Sequence, residues 1–184
     1  MTSSVRIHIE NTPNPKTLKF VASTALLESG GRDFPSMESA LASPLAKRVF
    51  QISGVEGVYI GTNFVSITKT DAADWQTLAP TVTESILAHL ASDEPILGTE
   101  GVQSHAAADD SVAQRVQDIL DEFVRPAVAQ DGGDVIFDSY EDGVVRLHLQ
   151  GACSGCPSST MTLKMGIQNM LCDQIPEVRE VIQV

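Results

Sequence analysis

Positive charge is scarce in this sequence. Only 12 Lys and Arg stand against 24 Asp and Glu, a formal net charge of −12 at pH 7 with a pI near 4.5. Nucleic-acid backbones and anionic bilayers are held by Lys and Arg gathered in patches. A surface of this sign repels both, and neither nucleic acid nor membrane is expected as a partner. Long apolar runs are also missing. Asp93 and Glu94 interrupt the longest apolar helical pattern, and no run reaches the roughly 18 residues of a membrane-spanning helix. Cysteine is limited to three, an odd number that makes a poor disulfide framework. The opening stretch MTSSVRIHIENTPNPKTLKF has no apolar block of the secretory kind, contains an acid and has few arginines, so it reads as neither an export signal nor a transit peptide. A reducing compartment is therefore expected, a cytoplasmic (bacterial) one ahead of a mature organellar matrix. There, closely spaced thiols bind metal or do redox chemistry more often than they staple a fold. No phosphate-cradling glycine loop, Ser/His/Asp arrangement or internal repeat is found, and His8, His89 and His105 lack metal-ligand spacing.

What is present is globular in composition, with 42% hydrophobic and 20% charged residues. Charge divides the chain into three. Residues 1–91 carry 7 basic and 8 acidic residues, 92–110 carry five acids and no Lys or Arg, and 111–184 carry 5 basic and 11 acidic residues. The middle segment, SDEPILGTEGVQSHAAADD, is aperiodic and reads as an acidic flexible linker between two small domains. Domains of this size bury only about 60–65% of their unfolded surface, so a metal or an oligomer would help either one.

The first domain opens with Val5, Ile7 and Ile9 in strand alternation, a turn at TPNPK and a partner strand at 18–21. Residues 44–51 start a helix on Pro44. Strands at 55–60 and 64–68 flank Gly61-Thr62-Asn63. Trp75, Leu78, Val82, Ile86 and Leu90 form a helical stripe that contains Pro80. The expected order is ββαββα, a sandwich. In the second domain Val112, Val116, Ile119, Leu120, Phe123 and Val124 mark a helix face with Ser111 or Asp110 as cap. Asp131-Gly132-Gly133-Asp134 stops that helix. A hairpin turns at Glu141-Asp142-Gly143, with Val145, Leu147 and Leu149 facing one way and Val144, Arg146 and His148 the other. A second helix and a last strand within 178–184 complete αββαβ. The fold class is α+β.

The chemistry concentrates in Gly151-Ala152-Cys153-Ser154-Gly155-Cys156-Pro157, a turn from strand to helix. Two cysteines three apart aim both sulfurs at one point, and the glycines let backbone approach whatever is bound. Free N–H groups and the helix dipole favour thiolates there, although a dipole worth about 0.3–1 kcal/mol is less than one pKa unit. Four readings compete. A zinc site wants four ligands. A thioredoxin-like pair wants its CxxC after the first strand of a βαβ unit. A packing pair of thiols is the plain alternative. A [4Fe–4S] cluster wants four thiolates, and with two per chain the stoichiometry points to a homodimer whose CxxC turns meet across a two-fold axis. A cluster placed so is near solvent and leaves when the dimer opens, which suits a carrier. Cys172 reads as a buried or half-buried free thiol, because reaching back as a ligand spans about four helical turns, roughly 22 Å. His148 reads as a surface residue. Gly132-Gly133 reads as a helix-ending turn, and Met161 and Met165 as packing in the core or at a dimer interface.

GACSGCPSSTMTLKMGIQNML, preceded by RPAVAQDGGDVIF, resembles the C-terminal domain of NifU as found in Nfu-type iron–sulfur cluster carriers. TPNPKTLKF and SPLAKRVFQISGVEGVYIGTNFVSITK resemble the Nfu N-terminal domain. The resemblance covers nearly the whole chain except the linker. It implies a [4Fe–4S] cluster shared between two chains through Cys153 and Cys156, received from an iron–sulfur scaffold donor and passed to apo iron–sulfur protein recipients. It implies a carrier and no enzyme, and gives Cys172 no ligand role. The rival classes are a CxxC thiol–disulfide oxidoreductase and a zinc-stabilised dimer.

Overall fold

A computed structural model of the chain describes residues 5–98, 111–154 and 157–184. It is α+β, and divides into two compact units, Met1–Val102 and Gln103–Val184.

The first unit is a five-stranded antiparallel sheet. Strands β1 (Ile7–Asn11), β2 (Thr17–Ala22), β3 (Arg32–Phe34), β4 (Val55–Ile60) and β5 (Phe64–Lys69) stand in the order β1-β2-β5-β4-β3. Helices α1 (Pro44–Phe50) and α2 (Trp75–Leu90) supply the rest of the core. Phe20, Val58, Ile60, Val65 and Ile67 of the sheet are buried in one cluster with Leu45 and Val49 of α1 and Leu78, Val82 and Ile86 of α2. Side-chain caps start both helices. Ser43 Oγ accepts from the Ala46 amide, and Asp74 accepts from the Gln76 amide. Two findings depart from the sequence expectations. Strand β3 was not anticipated, because Arg32-Asp33-Phe34 is too short to alternate and exists only through its pairing with β4. The alternation of Ile7 and Ile9 does make a strand, but β1 is an edge, and Ile9 remains 45% exposed.

The segment expected as a flexible linker begins as part of this unit. Ser43 Oγ donates to the Ile96 carbonyl, and the Gly98 amide donates to Ala42 O at 2.8 Å. Ile96 and Leu97 pack on the core. Aperiodic composition hid these two apolar residues. Residues 99–110 lie outside the described residues.

In the second unit α3 (Ser111–Ile119) runs through a π-helical turn (Leu120–Val124) into α4 (Arg125–Gln130). Val116, Leu120, Val124 and Val128 are all buried. A strict spacing of four drifts around an α-helix of 3.6 residues per turn, and the wider π turn takes back part of that drift. Strands β6 (Gly133–Glu141) and β7 (Val144–Gly151) form the hairpin. Asp142 and Gly143 turn it, with φ of 48° and 83°, both in the left-handed region that a tight two-residue hairpin turn uses. Helix α5 (Pro157–Gln174) carries the chain back so that β8 (Glu180–Gln183) lies parallel to β7, in the order β6-β7-β8. Val145, Leu147 and Leu149 face the core, as the alternation predicts.

Candidate metal centre

β6 flanks β7 to its end at Gly151, whereas β8 flanks only Val144–Leu147, so β7 delivers its C-terminal loop against the start of β6. Gly151 ends the strand with φ of 62°, a left-handed conformation that suits glycine. The loop is then strapped on both sides. The Ala152 amide donates to Gly132 O at 3.1 Å, and the Ser154 amide and hydroxyl both donate to Gly151 O, at 3.1 and 2.8 Å. From α5, Thr160 Oγ1 donates to Cys153 O at 3.2 Å.

Cys153 is 7% exposed and belongs to the buried cluster of the second unit. Its thiol is pushed up to about 12, first by burial and then by the negative charges of Asp131 and Asp134. This reverses the expectation that the helix start favours a thiolate. A rise from 9 to about 12 opposes the charged form by several times the ~0.3–1 kcal/mol that a helix N-terminus supplies. Unliganded Cys153 is therefore a neutral thiol at physiological pH, and a metal would have to displace its proton, as metals do when they bind thiols. Cys156, the other half of the motif, lies outside the described residues.

Gly133 is the floor under the sulfur. A Cβ built on it would stand 2.4 Å from Cys153 Sγ, 2.7 Å from Gln150 O and 2.9 Å from Cys153 N. The seat is thus one that any side chain would fill. Sequence reading assigned Gly132-Gly133 only the end of a helix. Gly132, with φ of 80°, does turn the chain, while Gly133 starts β6 and supports the thiol. The available signal was a glycine more than a helix stop requires.

Behind the turn sits a second feature the sequence did not disclose. Asp134 is 5% exposed, and its carboxylate accepts from Arg125 Nε and Nη2, both at 2.9 Å. Arg125 also donates to Asp121 at 3.0 Å, and its guanidinium is held firmly protonated by Asp134.

The remaining candidates separate. Cys172 is half-buried and packs on the core cluster. His148 is on the surface, its Nδ1 2.8 Å from Val184 O and its Nε2 3.3 Å from Asp138. Met161 and Met165 are 66% and 59% exposed, so the core alternative for them is excluded. Among the described residues no three His, Cys, Asp or Glu gather as a metal cluster.

Comparisons with known proteins identify the family of both units. Residues 116–182 match the model of the NifU-like domain, and residues 7–93 that of the scaffold protein Nfu/NifU N terminal. The human protein named NFU1 iron-sulfur cluster scaffold homolog, mitochondrial, is 44% identical over 181 residues, covering 97% of this chain and 71% of its own length. The chain belongs to the Nfu family. A Drosophila willistoni Nfu relative of the same printed name is 44% identical over 186 residues, with 97% of this chain but 63% of that protein covered. This Nfu chain thus spans roughly two thirds of the relatives' length. A solution structure of a NifU-like protein from Saccharomyces cerevisiae aligns with 54% of this chain and 92% of its own, at 27% identity and a TM-score of 0.48.

Proposed function

We propose that this Nfu-family chain is an iron–sulfur cluster carrier. Two copies hold a labile [4Fe–4S] cargo between their CxxC turns, through Cys153 and Cys156 of each, and surrender it to apo-proteins. The observation that carries this reading is the seat of Cys153, a thiol set in a glycine-floored turn where strand passes to helix. Thiolates are the ordinary ligands of such clusters, usually four of them. The relatives' printed name, iron-sulfur cluster scaffold homolog, supports an iron–sulfur cargo. The exposed Met161 and Met165, one turn apart beside the motif, supply an apolar face suited to pairing two chains.

Transfer proceeds by ligand exchange. An incoming thiolate forms a bond to iron as the Cys153–iron bond breaks, and Cys153 leaves with its electron pair, then takes up a proton within its buried seat. No bond of an organic substrate changes, so the chain acts as a carrier and no catalyst. The oxidoreductase alternative needs one thiol held well below the ordinary range, and Cys153, shifted the other way, is not that thiol. Donors are scaffold proteins that build clusters, recipients are apo iron–sulfur proteins, and the first unit docks them. Cytosol or organellar matrix meets the need for reduced thiols. Among the described residues no helix is long and apolar enough to cross a membrane.

Anaerobic reconstitution with iron and sulfide, read by absorption and native mass spectrometry, tests this. A brown dimer carrying about four irons and four sulfides is expected, lost in Cys153→Ser and Cys156→Ser and kept in Cys172→Ser. A colourless chain without iron overturns the reading, and zinc in its place would establish the zinc-dimer alternative.

A further inference from the structure

Cys153 is held by a short relay that begins on a different element. Arg125 is the first residue after the π turn, and its amide donates back to Leu120 O, five residues earlier. The wider turn sets the phase at which α4 meets β6. At that phase the guanidinium grips the buried Asp134 carboxylate at two points, 2.9 Å each. Asp134 Oδ1 also accepts from the Val135 amide at 2.8 Å, so the first residues of β6 are pinned from both side chain and backbone. Gly133 is the adjacent residue, in register with Gly151, and stands against Cys153 Sγ and Cys153 N. Gly132 O in turn receives the Ala152 amide. The chain of contacts runs Arg125, Asp134, Gly132-Gly133, Cys153.

We propose that Arg125 is a positioning residue for the cluster site. Through Asp134 it clamps the Gly132-Gly133 turn, and that turn fixes where the Cys153 sulfur stands and how easily it swings away. The claim deepens the carrier reading, and rests on it only for what Cys153 holds when loaded. Geometry, and not charge alone, is the active element. A planar fork with two parallel bonds fixes orientation, which a lysine ammonium does not. Groups that orient ligands in this way typically alter metal affinity by about 10–100-fold when changed.

The test uses the full chain with Arg125→Lys, which leaves a cation beside buried Asp134 but removes the fork. A second variant, Arg125→Met with Asp134→Leu, removes both charges together and so leaves no unpaired buried ion; it decides the question if the lysine variant does not fold. The first readout is alkylation of the metal-free chain by iodoacetamide, resolved by residue in mass spectrometry. Cys153 is expected to label about tenfold faster or more as its seat opens locally, with Cys172 unchanged as internal control and the thermal transition still cooperative. The second readout is the half-life of the reconstituted cluster against an iron chelator, expected to shorten about 10–100-fold. Wild-type protection of Cys153 in Arg125→Lys overturns the proposal, and so does equal acceleration at Cys153 and Cys172, which marks general loosening. If the wild-type chain takes up no cluster, the carrier reading fails while the labelling of Cys153 still decides the role of Arg125.

Discussion

The glycine under Cys153 is a residue whose role is defined by the room it leaves. Gly133→Ala adds one methyl, and that methyl meets a backbone carbonyl and a backbone amide as well as the sulfur. A side chain would rotate out of the way; the Gln150 and Cys153 backbone does not, because both belong to the strand end and its strapped loop. The expected cost is that of overpacking, about 1–3 kcal/mol, measured as a loss of unfolding free energy in denaturant. Cluster uptake should fall with it. A variant as stable as the parent, with normal uptake, would show that the turn has slack. Cys153 also shows how far a residue's chemistry departs from its local sequence. The helix start lies within a few residues and favours a thiolate, yet burial and two carboxylates, Asp131 before β6 and Asp134 within it, outweigh it.

At the scale of elements, α2 ends in a buried titratable group. His89 is 0% exposed, with Nε2 3.3 Å from Pro95 O and Nδ1 3.4 Å from Glu94, beside Arg48. Burial lowers its pKa; the Pro95 carbonyl and Glu94 oppose that shift and Arg48 adds to it. The folded chain thus favours neutral His89, whereas the unfolded chain binds a proton near pH 6.5. Below that pH the unfolded state takes up more protons, so stability falls as pH drops, until the folded pKa is passed. The slope is at most about 1.4 kcal/mol per pH unit. Thermal unfolding of the parent and His89→Gln between pH 7 and pH 5 should therefore show a steeper decline in the parent. Parallel declines would exclude His89 as the source. The docking of residues 92–98 around this histidine was not legible in the sequence. Ile96 and Leu97 carry no periodicity, and their place is set by hydrogen bonds to Ser43 and Ala42, more than fifty residues earlier in the chain. By contrast α2 was legible to its ends, since a stripe recurring at three and four is a local signal, while its Asp74 cap emerged only in the structure.

At the scale of the whole molecule, residues 1–91 are nearly neutral while residues 111–184 are acidic, and each unit has its own core. A chain lacking residues 1–110 is expected to fold and to load a cluster, but to deliver it more slowly to recipients. Transfer assays on several apo-proteins check this, and undiminished delivery to all of them would deny the first unit a docking role. Pairing of copies has its own test. Met161 is exposed in the single chain, so Met161→Asp should change stability by no more than about 0.5 kcal/mol. Native mass spectrometry should nonetheless find the loaded dimer lost. A loaded dimer at wild-type abundance would place the pairing face elsewhere.

Much of the molecule follows from the sequence alone, wherever the cause is local. Alternation at Val145, Leu147 and Leu149 specifies a strand facing a core, because successive side chains must point to opposite sides. The spacing of Cys153 and Cys156 between strand and helix marks the candidate site, because the backbone itself brings residues three apart together. Tertiary structure alone decided the rest. Strand β3 exists by virtue of its partner β4. The Arg125–Asp134 grip depends on the phase of α4 after the π turn and on the register of β6. The seat of Cys153 depends on β6 and β7 pairing Gly133 with Gly151. Each of these joins segments whose approach no pattern in either segment encodes. Burial, which governs the charge a thiol can carry, is likewise a property of the packed molecule.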